Sequence, residues 1–102
     1  MEIKMNHQLV NIMSAELLGH KTFKHDKCES CSVSTPNSTK LFNIFTNPTD
    51  CLDVVKVLGQ KHKIYIAPLK QQWFASHMDG EFDTYEEAVG AAVLIKMIKE
   101  NV

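Results

Sequence analysis

Residues 84–100, TYEEAVGAAVLIKMIKE, decide the fold, because they hold the clearest element boundary and the least ambiguous packing demand in the chain. Thr84 and Glu87 stand three apart just before an apolar run. In such a capping box the threonine hydroxyl accepts a backbone N–H of the first turn, and the glutamate reaches back to the cap. The helix is predicted to run to about Glu100, with Lys96 and Lys99 near its negative end. Ala88, Gly90, Ala91 and Ala92 keep it slender enough to approach a sheet closely. Apolar residues cover most of its circumference, so it must be sandwiched between neighbours or partly used in self-association.

Working back from it, HKIYIAPL (62–69) and QQWFASHM (71–78) are short runs rich in β-branched and aromatic residues. Pro68 and the polar residues 70–72 predict a hairpin turn between them. Alternation puts Ile64 and Ile66 on one face, with Tyr65 and Ala67 on the other. In the second run Trp73, Ala75 and His77 oppose Phe74, Ser76 and Met78. Apolar groups on both faces mean that each is at least partly covered. Asp79–Gly80 reads as a turn leading to a brief third strand at Glu81 to Asp83.

Before the hairpin, TNPTDCLDVVKVLGQ (46–60) carries Pro48 where a first helical turn tolerates it. Asn47 or Thr46 is placed to cap it, and Asp50 favours the positive end of the dipole. Leu52, Val55 and Leu58 are expected on its inner face, with Gly59 as its stop. LFNIF (41–45) alternates weakly, as a short strand would. Another helix is predicted over Met5 to Leu18, from Leu9, Val10, Met13 and Leu17 at helical spacing with Ile12 beside them. Asn6 can cap its start, and Gly19 follows where a left-handed cap belongs. Residues 20–40, dense in Ser, Thr, Asn and Pro36, read as an irregular polar excursion.

The 102 residues are expected to form a single domain, 1–102: an α+β fold in which a small antiparallel sheet of two to four strands is packed by about three helices. Hydrophobic residues at 44% and charged residues at 23% are ordinary globular usage. Eleven basic against twelve acidic residues supply no strong field for phosphate backbones, so nucleic acid is not an expected partner. No apolar run approaches the ~18–20 residues of a membrane span, and the opening MEIKMNHQLVNIM lacks the apolar core of a signal peptide. The expectation is therefore a cytoplasmic protein. An odd set of three cysteines, Cys28, Cys31 and Cys51, does not fit a secreted disulfide framework.

The order of these motifs resembles the phage ABA-sandwich domain family. The residues that carry the likeness are PTDCLDVVKVL after its cap, the tryptophan strand QQWFASH, and DTYEEAVGAAVLIKMI with Asp83, Thr84, Glu87 and Ala88. AELLGHKTF, with Leu18, Gly19 and His20, echoes the Met-Gly-aromatic end of the family's first helix. The likeness covers about Met5 to Phe23 and Thr46 to Lys99. It implies an ABA-like sandwich and a small bacteriophage or prophage protein acting in the host cytoplasm. The family has no assigned activity, so it implies no functional residues.

Two sets of residues are candidates for chemistry. GHKTFKHDKCESC (19–31) gathers His20, His25, Cys28 and Cys31. A Cys-x2-Cys knuckle places two thiolates on one turn, and zinc takes four such ligands in a tetrahedron. A structural zinc, with Cys51 or His7 as remote substitutes, competes here with a solvated loop of reduced thiols. A thioredoxin-like dithiol fits poorly, because CESCSVSTPNS leads into turn formers and not into a helix. The second set is Tyr65, Trp73 and Phe74, candidates for a recognition surface or for the core. Lys61, His62, Lys63 and Lys70 flank it, as a basic rim for an anionic ligand or as a hydrated edge that discourages strand pairing. No glycine elbow, phosphate cradle or His-Glu-x-x-His array accompanies the serines and histidines. The expectation is a non-enzymatic protein that blocks or sequesters a host component, either a defence protein or a signalling nucleotide. The alternatives are a zinc-stabilised nucleic-acid adaptor and an assembly module that dimerises through the C-terminal helix.

Overall fold

The computed structural model describes residues 6–24, 29–34, 37–69, 72–76 and 81–100. Their order is α1 (His7–Leu17), β1 (Thr22–Lys24), β2 (Cys31–Ser34), β3 (Thr39–Phe42), α2 (Pro48–His62), β4 (Ile66–Leu69), β5 (Gln72–Ala75) and α3 (Tyr85–Glu100). The fold is α+β. Its strands divide between two antiparallel sheets, β1-β2-β3 and the hairpin β4-β5. α1 packs on β1 and β2, while α3 packs on α1, on α2 and on both strands of the hairpin. Among the described residues, no helix is long and apolar enough to cross a membrane.

α3 is the hub. Thr84 Oγ1 accepts the Glu87 N–H at 3.1 Å, which starts the helix where the sequence predicts. From Ala88 to Val93 every residue is buried. The run of Ala, Gly and Val lets α1, α2 and the hairpin approach on several sides at once. These residues are covered within the chain, and Ile95 further along the helix is exposed.

Side-chain caps define the other helices. Asn6 Oδ1 accepts the Leu9 N–H at 3.1 Å to open α1. Its end is a Schellman turn, in which Gly19 at φ +87° allows the Gly19 and His20 N–H groups to bond back to Glu16 and Ala15. Asn47 caps α2 through Oδ1 to the Thr49 N–H at 3.0 Å, with Pro48 next in its first turn. That helix does not stop at Gly59. It continues to His62, and Lys63 takes the left-handed conformation at φ 57°. Its inner face is Cys51, Val54 and Leu58, with Val55 partly covered, whereas Leu52 faces outward. Of the expected stripe Leu58 is buried and Val55 packs against the core, while Leu52 lies outside it and Cys51 and Val54 complete the inner face. Leu9, also expected inside, is nearly half exposed; Val10, Asn11, Ser14 and Ala15 are the buried residues of α1.

The irregular excursion expected over residues 20–40 is corrected by the structure. It contributes β1, β2 and the start of β3, which pair in register as Phe23↔Ser32↔Leu41 and Lys24↔Cys31↔Phe42. Cys31 and Val33 point inward, and Phe23 and Leu41 point outward. β3 ends at Phe42, so LFNIF is strand only in its first two residues. Asn43 turns the chain out of the ladder because its side chain accepts the Phe45 N–H at 2.8 Å. One apolar cluster, including Val10, Val33, Phe42, Leu58, Ala75 and Val89, joins both sheets to all three helices.

Candidate functional site

The hairpin separates the three aromatic candidates by strand parity. Register pairs Ile66 with Ala75, Ala67 with Phe74 and Pro68 with Trp73. Ile64, Ile66 and Ala75 turn toward the core, where Ala75 is fully buried. Trp73 shares that inward side and meets the Tyr85 ring edge-on, with centroids 5.0 Å apart. Its backbone exchanges hydrogen bonds of 2.7 and 2.8 Å with Phe82, so the brief third strand is a single bridge. Trp73 therefore anchors the hairpin to α3. Burial pushes the Tyr85 hydroxyl above its ordinary pKa, and the neighbouring Cys51 and Glu86 add to that shift.

Tyr65 and Phe74 lie on the outward side. Tyr65 extends the ladder by one pair: its N–H donates to Ser76 Oγ at 2.9 Å and its carbonyl accepts the Ser76 N–H at 2.8 Å. Its side chain is 58% exposed. The ring nevertheless has a seat. A Cβ at Gly59 would stand 3.3 Å from Tyr65 Cε1, so only glycine lets the ring lie this close to α2. The left-handed Lys63 makes the placement possible by folding the chain back after the helix, with the Ile64 N–H donating to Leu58 O at 3.0 Å.

Two residues of this surface are not among the sequence-level candidates. Leu52 is 52% exposed, and Lys56 is exposed one turn further along α2. Leu52, Lys56, Gly59 and Lys63 follow one another at helical spacing, so they form one stripe that ends under Tyr65. Sequence spacing conceals Leu52, which stands three before Val55 and six before Leu58 and so reads as part of their inner face. Lys61 is exposed on the side of α2 away from this stripe and His62 is half-buried, while Lys70 of the expected rim lies outside the described residues.

Of the four candidate zinc ligands, His25 and Cys28 also lie outside the described residues. His20 is half-buried, its ring 6.4 Å from that of Phe42. Cys31 is buried in the core and paired with Phe42 across the ladder. Burial raises its thiol pKa to about 11, and the charges of Asp50 and Glu16 act in the same direction. Cys51 is likewise buried and raised to about 11, by burial first and Glu86 second. A thiol held protonated within an apolar cluster is not a ready nucleophile. Among the described residues, no three potential ligands gather at one point.

The buried polar groups form a separate set. Asn11 Oδ1 accepts the Ile44 N–H at 2.8 Å, and Asn11 Nδ2 donates to Glu29 O at 2.8 Å. Asn43 donates its N–H to Asp50 Oδ2 at 3.1 Å and its amide to Ser30 Oγ at 2.9 Å. Lys40 Nζ stands 3.9 Å from the other oxygen of Asp50, whose side chain is 2% exposed. These groups are committed to holding α1, β2, the β3–α2 turn and α2 together. Against family models, curated proteins and solved structures, the chain finds no match.

Proposed function

We propose that this is a non-enzymatic binding protein that acts by occupying a host component, and that its contact surface is the outward side of the β4–β5 hairpin around Tyr65 and Phe74. The observation that carries this reading is the state of Tyr65: more than half exposed, yet laid against Gly59 and tied into the ladder on both backbone groups. An aromatic side chain already ordered in the free protein loses little entropy on docking, which is why tyrosines of this kind dominate interface energies. The chemistry of the interior supports the same reading. Asn11, Asn43 and Asp50 are spent on backbone partners, and both described cysteines are protonated core residues. A bacteriophage or prophage origin and action in a bacterial cytoplasm belong to the same proposal and rest on the order of the sequence motifs.

A photoreactive benzophenone amino acid in place of Tyr65, introduced in a bacterial host, tests the reading. Illumination is expected to give a covalent adduct of defined mass, while the same group in place of Phe23, on the separate sheet β1-β2-β3, gives none. Absence of any adduct at position 65, or a turnover abolished by changing one polar side chain, would overturn it.

A further inference from the structure

Resting on that reading, we infer that the occupant of the Tyr65 surface is an acidic polypeptide face that carries apolar side chains. Charge is the first argument. Residues 54–78 contain four lysines (Lys56, Lys61, Lys63 and Lys70) and no Asp or Glu, so this segment is +4. The remaining residues hold the other 7 basic and all 12 acidic groups, a net of −5. The sequence segment that carries Tyr65 is thus the positive one in a chain of formal charge −1. Lys56 and Lys63 are exposed on the stripe beside Tyr65, and Lys61 is exposed on the far side of α2. Lys63 Nζ reaches back to Gln60 O at 3.3 Å, which holds its charge over the end of α2 and beside the Tyr65 strand. The nearest acid on the helix, Asp53, is off the stripe that runs from Leu52 through Lys56 and Gly59 to Lys63.

The apolar residues select among anionic partners. Leu52 and Tyr65, both more than half exposed, bracket Lys56 on one surface. A single-stranded nucleic acid uses successive aromatic platforms for its bases along a basic track. Here the Tyr65 ring has its inner side closed by Gly59, Phe74 is only partly exposed, and Leu52 is aliphatic and cannot stack on a base, so no track of open rings is present among the described residues. An acidic protein face with its own apolar side chains would bury Leu52 and Tyr65 together while its carboxylates meet the lysines. A second copy in two-fold contact would set the same lysines against each other, which costs free energy where an acidic partner gains it.

The benzophenone adduct at position 65 also tests this identity. Digestion and mass spectrometry of the adduct should find the attached segment rich in Asp and Glu with Leu, Ile, Val or Phe among them. Lys56→Glu should lower adduct yield about tenfold, Lys56→Gln less, and raised salt should act like the substitutions. Leu52→Ala should lower the yield without changing the salt dependence, with circular dichroism showing each variant folded. A nuclease-sensitive adduct, an attached segment of basic character, an adduct with a second copy of this chain, or a yield indifferent to Lys56→Glu overturns the acidic partner and leaves action by occupancy standing. Absence of any adduct removes both.

Discussion

The two sheets of this protein are attached to its helices by different means. The three-stranded sheet is pinned through buried amides and a carboxylate: Asn11 bridges α1 to Ile44 and Glu29, and Asp50 receives Asn43 from the end of β3. Among the described residues, the hairpin β4-β5 buries no polar side chain of this kind: Ala75 and Ile66 pack in the core, Trp73 packs against Tyr85, and the hairpin's directional bonds run to the segment just ahead of α3, from Trp73 to Phe82 and from Gln72 to Asp83. Directional bonds tolerate one arrangement, whereas apolar packing tolerates modest sliding. The difference teaches where specificity of folding and specificity of contact reside. Around the first sheet the buried polar side chains of α1, α2 and the β3–α2 turn are spent on the fold. The hairpin end carries Tyr65 outward, beside Lys56 of α2 and Lys63 of its cap, both exposed.

The largest expected effect lies at the pinned end. Asn11→Leu keeps the side-chain volume roughly constant but leaves the Ile44 N–H and the Glu29 carbonyl without their partners. Two such groups should cost about 3 kcal/mol, read as a midpoint shift in urea with an unchanged slope. A loss under about 1 kcal/mol would mean that solvent reaches those groups and that the contrast between the two ends is smaller than drawn.

Alkaline pH probes both ends through one thiol on each side. Cys31 sits under the three-stranded sheet, and Cys51 lies on α2 near Tyr85 and Glu86. Their folded pKa values of about 11 exceed the 9.0 of the unperturbed thiol. Above pH 9 the unfolded chain sheds protons that the folded chain retains, so unfolding is favoured progressively until pH 11. The stabilising contribution is complete below pH 9, with on the order of 2 kcal/mol at stake per thiol across that window. Cys31→Val should remove its share of the alkaline loss and leave stability at pH 7 within about 1 kcal/mol. If the valine protein instead unfolds at pH 7, or if a chelator lowers the stability of the unaltered chain, Cys31 serves as a metal ligand and not as a packed thiol.

At the apolar end, Thr84→Ala removes the acceptor of the Glu87 N–H and should cost about 1 kcal/mol, or roughly 5 °C in thermal midpoint for a domain of this size. Because α3 touches α1, α2 and the hairpin, the loss should appear as one cooperative transition. A separate early transition reported by Trp73 fluorescence would show that the hairpin melts on its own.

How much of this was legible follows the length and polarity of each element. α3 was plain, since Thr84, Glu87 and a long apolar run all agree. The start of α2 was equally plain from Asn47 and Pro48. Its end was not, because Gly59 serves as a seat for Tyr65 and the left-handed turn is taken by Lys63, a residue type with no special claim to it. The three-stranded sheet was hidden by its composition: the aromatic and β-branched runs of β4 and β5 are missing from its strands, which are about as short. Thr, Ser and Lys supply much of them, which leaves Cys31 and Val33 as the main trace of a buried face. Parity sets Trp73 and Phe74 on opposite faces, but only the register of the hairpin shows that Tyr65 and Phe74 share the outward one. Spacing could not find Leu52 or Lys56, because Leu52 stands at helical spacing from Val55 and so reads as part of the same inner face.

Gly59→Ala gives the smallest expected effect on stability and the sharpest test of the contact surface. Alanine inside a helix is favoured over glycine by about 1 kcal/mol, and α2 continues through this position. The new methyl would stand 3.3 Å from Tyr65 Cε1, a few tenths of an ångström too close. Because the ring is more than half exposed, it can lift away without disturbing the core, and that concession should consume part of the gain. The expected net is a stabilisation of about 0.5 kcal/mol. Binding should move the other way, since a ring lifted from its seat is no longer held in one orientation and must be ordered on docking. A variant that folds more tightly and holds its partner less well would separate the two roles of the hairpin. Unchanged binding would show that the seat beneath Tyr65 serves packing alone.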